Sequence, residues 1–384
     1  MGDDNVVSKH NSLINFIFFG FFLYLFFVSI ELMEVAFKGF GKGFAEQLIA
    51  TTSNPFVGLF VGILATSIVQ SSSMTTSMLV GMVASGMITI PNAIPIVMGA
   101  NIGTTVTNTI VAMTSVTRKQ EFGKAFASAI VHDFFNILTA LVLMPLHLIT
   151  QSLLGRGVLQ ILAEWLANVF ANAGGLKFAS PLRMITDPII KLLYDYLFPT
   201  ILSPFCQPTG LGLAIFTFVF ALGLLFLALT YMSKTMRSAI MVKIENLLDT
   251  YLFKTATRSF ILGMIITAII QSSSVTTSLI VPLVGVGILT LEQIFPYTLG
   301  ANIGTTITAI LASLAIGSYV GITVAFAHLS YNILGTIIWF PLKIVPITMA
   351  RKMAELTEKH RKISLIYMIG IFYVIPGLLI LLMR

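Results

Sequence analysis

The chain has few charged residues. Asp, Glu, Lys and Arg make up only 10% of its 384 residues, whereas 57% are hydrophobic and the mean hydropathy is +0.96. A soluble domain carries about 25% charged residues, so the composition excludes an ordinary soluble protein. Long apolar runs recur along the chain, while a membrane β-barrel would show short alternating segments. We therefore predict an all-α polytopic membrane protein.

Cysteines and glycosylation signals are scarce as well. Cys206 is the single cysteine, so no intramolecular disulfide can form, and no N-x-S/T sequon is present. The formal net charge of +7 does not indicate nucleic-acid binding, because the basic residues lie between the apolar runs. We interpret it as loop charge that sets membrane topology, with the lipid bilayer and no nucleic acid as a partner.

Two polar motifs interrupt the apolar sequence, and each occurs twice. Gln70–Val83 reads QSSSMTTSMLVGMV and Gln271–Val284 reads QSSSVTTSLIVPLV, with nine of fourteen positions identical. The motif GANIGTT occupies Gly99–Thr105 and Gly300–Thr306, at the same offset of 201 residues. An internal duplication of this length predicts two structural repeats.

The apolar stretches beside each QSSS run are too short to cross a membrane. Phe56 to Val69 has fourteen residues and Met74 to Ile88 has fifteen. As helices they would be about 21–23 Å long, against a hydrocarbon core of about 30 Å. We predict a re-entrant helical hairpin with a QSSS tip in each repeat, over residues 56–88 and 258–288. The GANIGTT motif is expected to interrupt the following helix, with its Asn as an N-terminal cap.

The predicted organisation has four parts. The first repeat is expected at 13–148, a linker with interfacial amphipathic helices at 149–208, the second repeat at 211–345, and an extra C-terminal transmembrane helix at 363–383. Each repeat crosses three times, so the second is inverted, and the excess of Lys and Arg in the loops places the N-terminus in the cytoplasm and the linker outside. Inverted repeats with discontinuous helices are typical of secondary transporters, with the site at the repeat interface.

The QSSS tips have the chemistry of an anion site. Each serine run can cap the helix that follows it and leave backbone N–H groups free, and a helix N-terminus carries about half a positive charge. No Lys or Arg lies in the predicted membrane core, so an oxyanion such as hydrogen phosphate would need co-bound cations. The candidate phosphate ligands are Gln70, Ser71, Ser72, Ser73, Asn101, Ser272, Ser273, Ser274 and Asn302.

Neutral oxygen ligands next to the second tip suit sodium. Gln271, Ser272, Thr305 and Thr308 supply hard oxygens, and Thr104 matches Thr305 in the first repeat. A sodium gradient also supplies driving force, at about 2.3 kcal/mol per charge per 100 mV. The residues thus predict a cation-coupled anion symporter of the cell membrane that moves Na⁺ and needs no cofactor. The sequence leaves open whether it forms a homo-oligomer.

Several acidic residues and histidines give weaker indications of a functional role. His132 and Asp133 lie inside a predicted span, where ionisable residues are functional by default. They are neighbours in sequence, hence about 100° apart on a helix, so we favour a structural hydrogen-bonding role for them. Glu31 and Glu34 are expected at the membrane surface.

The combination of motifs resembles the type II sodium-dependent phosphate cotransporters. The resemblance covers about Gly20 to Pro341 and is carried by the doubled QSSS run, the doubled GANIGTT motif and the His132–Asp133 span. Short termini, no sequons and a central loop without paired cysteines resemble a bacterial member. The resemblance implies inorganic phosphate as substrate, sodium as coupling ion, phosphate held by the serine runs, and sodium held at Gln271, Ser272, Thr305 and Thr308.

The resemblance adds one acidic residue to the sodium candidates. Electrogenic relatives carry an acidic residue in the connector after a Gly-Lys pair. Here the matching residue is Glu46, after Gly41 and Lys42, and it is Glu rather than Asp. This departure leaves the charge stoichiometry open.

Three other functions remain open on the residues alone. An intramembrane serine hydrolase would use the serines with a histidine, although no G-x-S-x-G elbow is present. A transporter of the same architecture could carry sulfate, arsenate or a carboxylate. A passive anion channel would need no sodium gradient.

Overall fold

The computed structural model describes residues 3–117, 119–175, 179–204, 210–247 and 253–383, and every regular element in these ranges is a helix. The α-helices are α1 (Asp3–Gly39), α2 (Lys42–Thr51), α3 (Pro55–Val69), α4 (Ser72–Ala84), α5 (Ile90–Gly103), α6 (Val106–Met113), α7 (Lys119–Leu154), α8 (Val158–Asn172), α9 (Ala179–Lys191), α10 (Phe198–Leu202), α11 (Leu211–Leu247), α12 (Ala256–Ile270), α13 (Ser273–Ser278), α14 (Val281–Gly285), α15 (Leu291–Ile316), α16 (Tyr319–Trp339), α17 (Ile344–Lys359), α18 (Lys362–Ile369) and α19 (Ile375–Met383). Short π-helical segments at Leu192–Leu197 and Gly370–Val374 join α9 to α10 and α18 to α19.

Seven of the described helical segments are long and apolar enough to cross a membrane. They are Ile14–Gly39, Ile90–Met113, Glu121–Leu154, Leu211–Met236, Leu291–Ile316, Tyr319–Trp339 and Lys362–Met383. An eighth is obtained if α2 and α3, which are bent by 102° at their junction, count as one span. The prediction of an all-α, multi-pass membrane protein is therefore confirmed.

The same helix pairing occurs in both halves of the chain. Helix α3 packs on α5, and α12 packs on α15, at sequence positions 201 residues apart. A Cβ on Gly99 would overlap the carbonyl oxygen of Leu59, and a Cβ on Gly300 would overlap that of Phe260. Glycine thus allows each pair of backbones to touch, as small residues do in membrane proteins.

The equivalent helices α1 and α11 pack against each other in antiparallel directions. The ring centroids of Phe22 and Tyr231 lie 5.3 Å apart, while those of Phe37 and Phe218 lie 5.4 Å apart. The residue numbers of the contacts increase along α1 and decrease along α11, so the two helices run in opposite directions.

The GANIGTT motif does not interrupt the helix in the second half, so that part of the prediction is wrong. In the first half the helix ends at Gly103 and resumes at Val106, but α15 runs unbroken through its copy. Gly300 and its companion Gly304 have no positive φ and serve close packing instead of a break. Asn302 therefore lies inside a helix and caps none, and Asn101 likewise lies inside α5, while the residue before α6 is Thr105.

Short helices flank each QSSS run, as the sequence predicts, but the two arms that follow the runs differ. Helix α4 is continuous over 13 residues, whereas its counterpart is divided into α13 and α14. Pro282 stands at the start of α14 and lacks the N–H that would extend the helix. The second arm is therefore locally irregular where the first is regular.

Two acidic residues of α1, Glu31 and Glu34, are buried within the protein, and their position at the membrane surface stays a prediction. Glu31 and Glu34 are 5% and 8% exposed. Thr186 Oγ1 donates to Glu31 Oε1 at 2.8 Å, and Lys38 Nζ lies 2.6 Å from Glu34 Oε1. Arg183 Nη2 lies 3.5 Å from Glu34 Oε2. Thr186 and Arg183 of α9, a helix of the predicted linker, thus contact these carboxylates.

The predicted linker, 149–208, contains helices in its described part. Helix α8 packs on α16 through Leu159, Ala163 and Ala167, while Trp165 and Val169 face outward. Residues 176–178 and 205–208 of the linker lie outside the described residues.

Candidate functional site

Both QSSS runs turn the chain in the same way. Gln70 and Gln271 have φ values of 55° and 62°, and they are the only described residues other than glycine with positive φ. Their N–H groups each donate to the carbonyl of a threonine four residues earlier, Thr66 and Thr267, at 2.7 Å. Each glutamine therefore ends one helix in the left-handed conformation, which is costly for a residue with a side chain.

The serine after each glutamine caps the next helix, as the sequence predicts. Ser71 Oγ accepts from the N–H of Met74 at 3.2 Å, and Ser272 Oγ accepts from the N–H of Val275 at 3.3 Å. The caps satisfy one N–H of each first turn and leave the preceding ones directed toward the tip.

The two tips touch. Ser73 Oγ donates to the backbone carbonyl of Gln271 at 3.2 Å, across a sequence distance of 198 residues. Thr277 Oγ1 donates to Asn108 Oδ1 at 3.0 Å and so connects the second tip to α6 of the first half. The two copies of the QSSS motif are thus in direct contact.

A cavity of about 400 Å³ opens between the tips. Five of the predicted ligands line it, namely Gln70, Ser71, Gln271, Ser272 and Ser274. The remaining predicted serines, Ser72, Ser73 and Ser273, are buried in the first helical turns behind this wall. The other lining residues are Val69, Met74, Thr107, Phe226, Leu229, Thr230, Ser233, Lys234, Val275 and Ser278.

Lys234 is a cationic residue that lines this cavity, and it is not among the predicted ligands. The apolar run of α11 ends at Met232, two residues before Lys234. In the structure α11 continues to Leu247 and the candidate span to Met236. The signal available in the sequence was a lysine only two residues beyond an apolar run.

The sodium candidates are brought together only in part. Thr308 Oγ1 donates to Gln271 Oε1 at 2.8 Å, so these two oxygens lie together beside the second tip. Thr305 lies one turn earlier on α15 and donates to the Ala301 carbonyl at 3.0 Å. Thr104 makes the same bond in the first half, to Ala100 at 2.8 Å. Glu46 is exposed on α2 and does not line the cavity between the tips.

The two GANIGTT asparagines contact histidines of the opposite half. Asn302 Oδ1 lies 2.7 Å from His132 Nε2, and Asn101 Oδ1 lies 3.2 Å from His328 Nε2. Asn136 Nδ2 donates to the Asn101 carbonyl at 2.9 Å and its Oδ1 accepts from Asn302 at 2.9 Å. All five residues are buried. The asparagines are thus held behind the cavity rather than on its wall.

The histidine contacts give no support to a serine hydrolase. In the part of the chain that the structure describes, the rings of His132 and His328 contact asparagines rather than serines. Asp133 accepts from Tyr367 Oη at 3.1 Å and so connects α7 to α18. These bonds accord with the structural role that we favour for His132 and Asp133.

Several known proteins resemble the chain over most of its length. It is 34% identical to sodium-dependent phosphate transport protein 2A of Rattus norvegicus over 93% of the chain and 66% of the relative. It is 31% identical to the 2B proteins of Pongo abelii and Homo sapiens, over 92% of the chain and 63% of each relative. The chain therefore spans somewhat less than two thirds of the length of these relatives. No solved structure matches it.

The family comparison covers both halves. The model of the Na⁺/Pi-cotransporter family matches residues 25–168 and 214–340, which contain both QSSS runs and both GANIGTT motifs. The chain belongs to the Na⁺/Pi-cotransporter family, a family of transporters rather than of enzymes.

Proposed function

We propose that the protein is a secondary active transporter that carries inorganic phosphate into the cell together with sodium. The observation that carries the proposal is the junction of the two QSSS tips, where Ser73 donates to the Gln271 carbonyl beside one cavity. The relatives named as sodium-dependent phosphate transport proteins support the choice of ions.

Phosphate is held at the tips by serine hydroxyls and backbone N–H groups. Helix α4 begins at the cavity with Ser71 as its cap, and 13 helical residues give its N-terminus the positive end of a helix dipole. Helix α13 has only six residues, so its serines, rather than its dipole, carry the second half of the site. Ser274 lines the cavity and is the serine of that half best placed for a direct bond.

Sodium is held next to phosphate, at the second tip. Gln271 Oε1 and Thr308 Oγ1 lie 2.8 Å apart, and a sodium ion in contact with both would gain two neutral oxygen ligands. Ser272 and Thr305 complete the proposed set. A cation here offsets the charge of the anion and couples the two movements. Glu46 and Thr104 remain candidates for a further sodium ion.

The proposed topology is a pair of inverted repeats with re-entrant hairpins, in a cell membrane with the N-terminus in the cytoplasm. The antiparallel packing of the equivalent helices α1 and α11 supports the inversion. The 15-residue length of α3 and of α12, each followed by a left-handed glutamine, supports hairpins that do not cross the bilayer.

The test is uptake of radiolabelled phosphate into proteoliposomes that contain the purified protein. With an inward sodium gradient we expect phosphate to accumulate, and with potassium or choline in place of sodium we expect uptake to fall to the level of empty liposomes. Equal uptake in the three salts would overturn the proposal and favour a passive channel. Unlabelled sulfate or arsenate that competes better than phosphate would contradict phosphate as the substrate.

A further inference from the structure

Helix α11 presents one polar stretch to the tip cavity. Its lining residues are spaced i, i+3, i+4, i+7 and i+8, which is a single helix face: Phe226, Leu229, Thr230, Ser233 and Lys234. The first two are apolar and the last three are polar, within a span of mean hydropathy 2.6. Polar side chains at such positions cost free energy in a membrane, so their place on the cavity wall indicates a function.

Ser233 is a buried hydroxyl that has no partner. Its side chain is 7% exposed, and Oγ makes no hydrogen bond with any other described residue. Across the cavity Thr107 Oγ1 is also shielded and unpartnered. A helical hydroxyl usually bonds a carbonyl of its own helix, as Thr235 does to Tyr231 at 2.6 Å. A buried unpaired hydroxyl costs free energy, and a polar ligand in the cavity that these two residues line would give each hydroxyl a partner.

Lys234 gives the cavity a net positive charge. None of the described residues that line the cavity is Asp or Glu. Lys234 Nζ lies 5.7 Å from the centroid of the Tyr231 ring, a contact that leaves its N–H donors free for an anion. A volume of about 400 Å³ holds roughly a dozen waters, so a hydrated oxyanion fits beside the lysine.

We propose that Lys234 and Ser233 form a third wall of the phosphate site, in addition to the two QSSS tips. The Lys234 ammonium supplies the fixed charge that attracts and holds the oxyanion, and the Ser233 hydroxyl donates a hydrogen bond to it. The inference rests on the proposed function and adds to it a specificity-determining charge from α11.

The test compares substitutions at these two positions by phosphate titration. Lys234→Gln should raise the half-saturating phosphate concentration about 10- to 100-fold, since a hydrogen bond to a charged group contributes about 1.5–3 kcal/mol. Half-saturation by sodium, measured at saturating phosphate, should stay unchanged. Lys234→Arg keeps the charge and should stay close to the wild-type value. Ser233→Ala should also raise the half-saturating phosphate concentration, by a smaller factor.

Lys352→Gln is the matched control, because Lys352 is an exposed cation on α17 that does not line the cavity. Wild-type phosphate affinity in Lys234→Gln would overturn the proposal, as would an equal loss in Lys234→Arg. Should Lys234→Gln fail to purify as a folded protein, Lys234→Arg and Ser233→Ala carry the test.

Equilibrium binding of radiolabelled phosphate to the purified protein separates this inference from the proposed function. Wild-type protein that binds phosphate without sodium-driven uptake would contradict the symport mechanism alone. Weaker binding in Lys234→Gln would still support the third wall, whereas unchanged binding would remove it.

Discussion

Gln271 has three structural roles. Its backbone takes the left-handed conformation that ends α12, its carbonyl accepts from Ser73 of the other tip, and its side-chain oxygen accepts from Thr308. A change of the side chain alone leaves the backbone conformation and the carbonyl hydrogen bond in place. The sodium role can therefore be tested through Thr308, without disturbing the turn.

Thr308→Val removes one hydroxyl and keeps the shape of the side chain. We expect the half-saturating sodium concentration to rise about 5- to 30-fold, since an oxygen ligand or hydrogen bond of this kind contributes about 1–2 kcal/mol. Half-saturation by phosphate at high sodium should change much less. The measurement is a sodium titration of phosphate uptake in proteoliposomes.

Thr323→Val provides the control for this change. Thr323 is a buried helical threonine whose hydroxyl donates to the Tyr319 carbonyl of its own helix, at 2.9 Å. Its replacement should leave sodium titration unchanged. A Thr308→Val protein with the wild-type sodium curve would remove Thr308 from the sodium site.

Among the helices, the packing of α15 on α12 is set by glycines. Gly263 of α12 faces the carbonyl of Tyr297, while Gly300 and Gly304 of α15 face those of Phe260 and Met264. A continuous α15 that touches α12 along these positions fixes Thr305 and Thr308 relative to the second tip. Packing of this helix pair therefore determines the geometry of the proposed sodium site.

Gly300→Ala should separate the two helices. The new Cβ would overlap the carbonyl oxygen of Phe260, and because that atom belongs to the backbone, a whole helix must move. We expect a loss of about 1–3 kcal/mol of stability, seen as a lower unfolding temperature in detergent, together with weaker sodium activation.

Gly223→Ala tests whether this loss comes from packing. Gly223 lies inside α11 and has open space around it. Alanine favours a helix over glycine by about 1 kcal/mol, so the unfolding temperature should stay constant or rise. Equal destabilisation by both substitutions would contradict the packing explanation.

In the molecule as a whole, bonds between the halves recur in pairs. His132 contacts Asn302, and His328 contacts Asn101, so each histidine reaches the motif of the opposite half. The antiparallel pair of α1 and α11 repeats the same relation between equivalent helices. Both observations support the proposed inverted duplication.

The proposed topology predicts opposite sides for two exposed positions. In a protein whose single cysteine is replaced (Cys206→Ser), Ser152→Cys lies outside and Lys359→Cys lies in the cytoplasm. Both residues are exposed, near the ends of α7 and α17. A maleimide that does not cross membranes should label Ser152→Cys in intact cells and Lys359→Cys only after permeabilisation. The reverse pattern would place the N-terminus outside.

Much of this protein was predictable from local features of its sequence. Apolar runs predicted the membrane class, because burial in lipid depends on the composition of each segment. The serine after each glutamine predicted helix caps at Ser71 and Ser272, because a cap involves atoms three residues apart. The duplication predicted that two tips would share a site, although not that Ser73 would bond the Gln271 carbonyl.

Other features depend on contacts between residues far apart in sequence. The GANIGTT glycines look like helix breakers in a single segment, yet in both halves they lie within a helix and pack against a neighbouring helix, and α15 continues unbroken through its copy. Glu31 is buried because Thr186 of a distant helix bonds it. Lys234 reaches the cavity because α11 extends past its apolar run and packs beside both tips. The composition and spacing of residues determined the helices and their ends. Only the packing of helices on one another placed Lys234 at the same cavity as the serines of the QSSS runs.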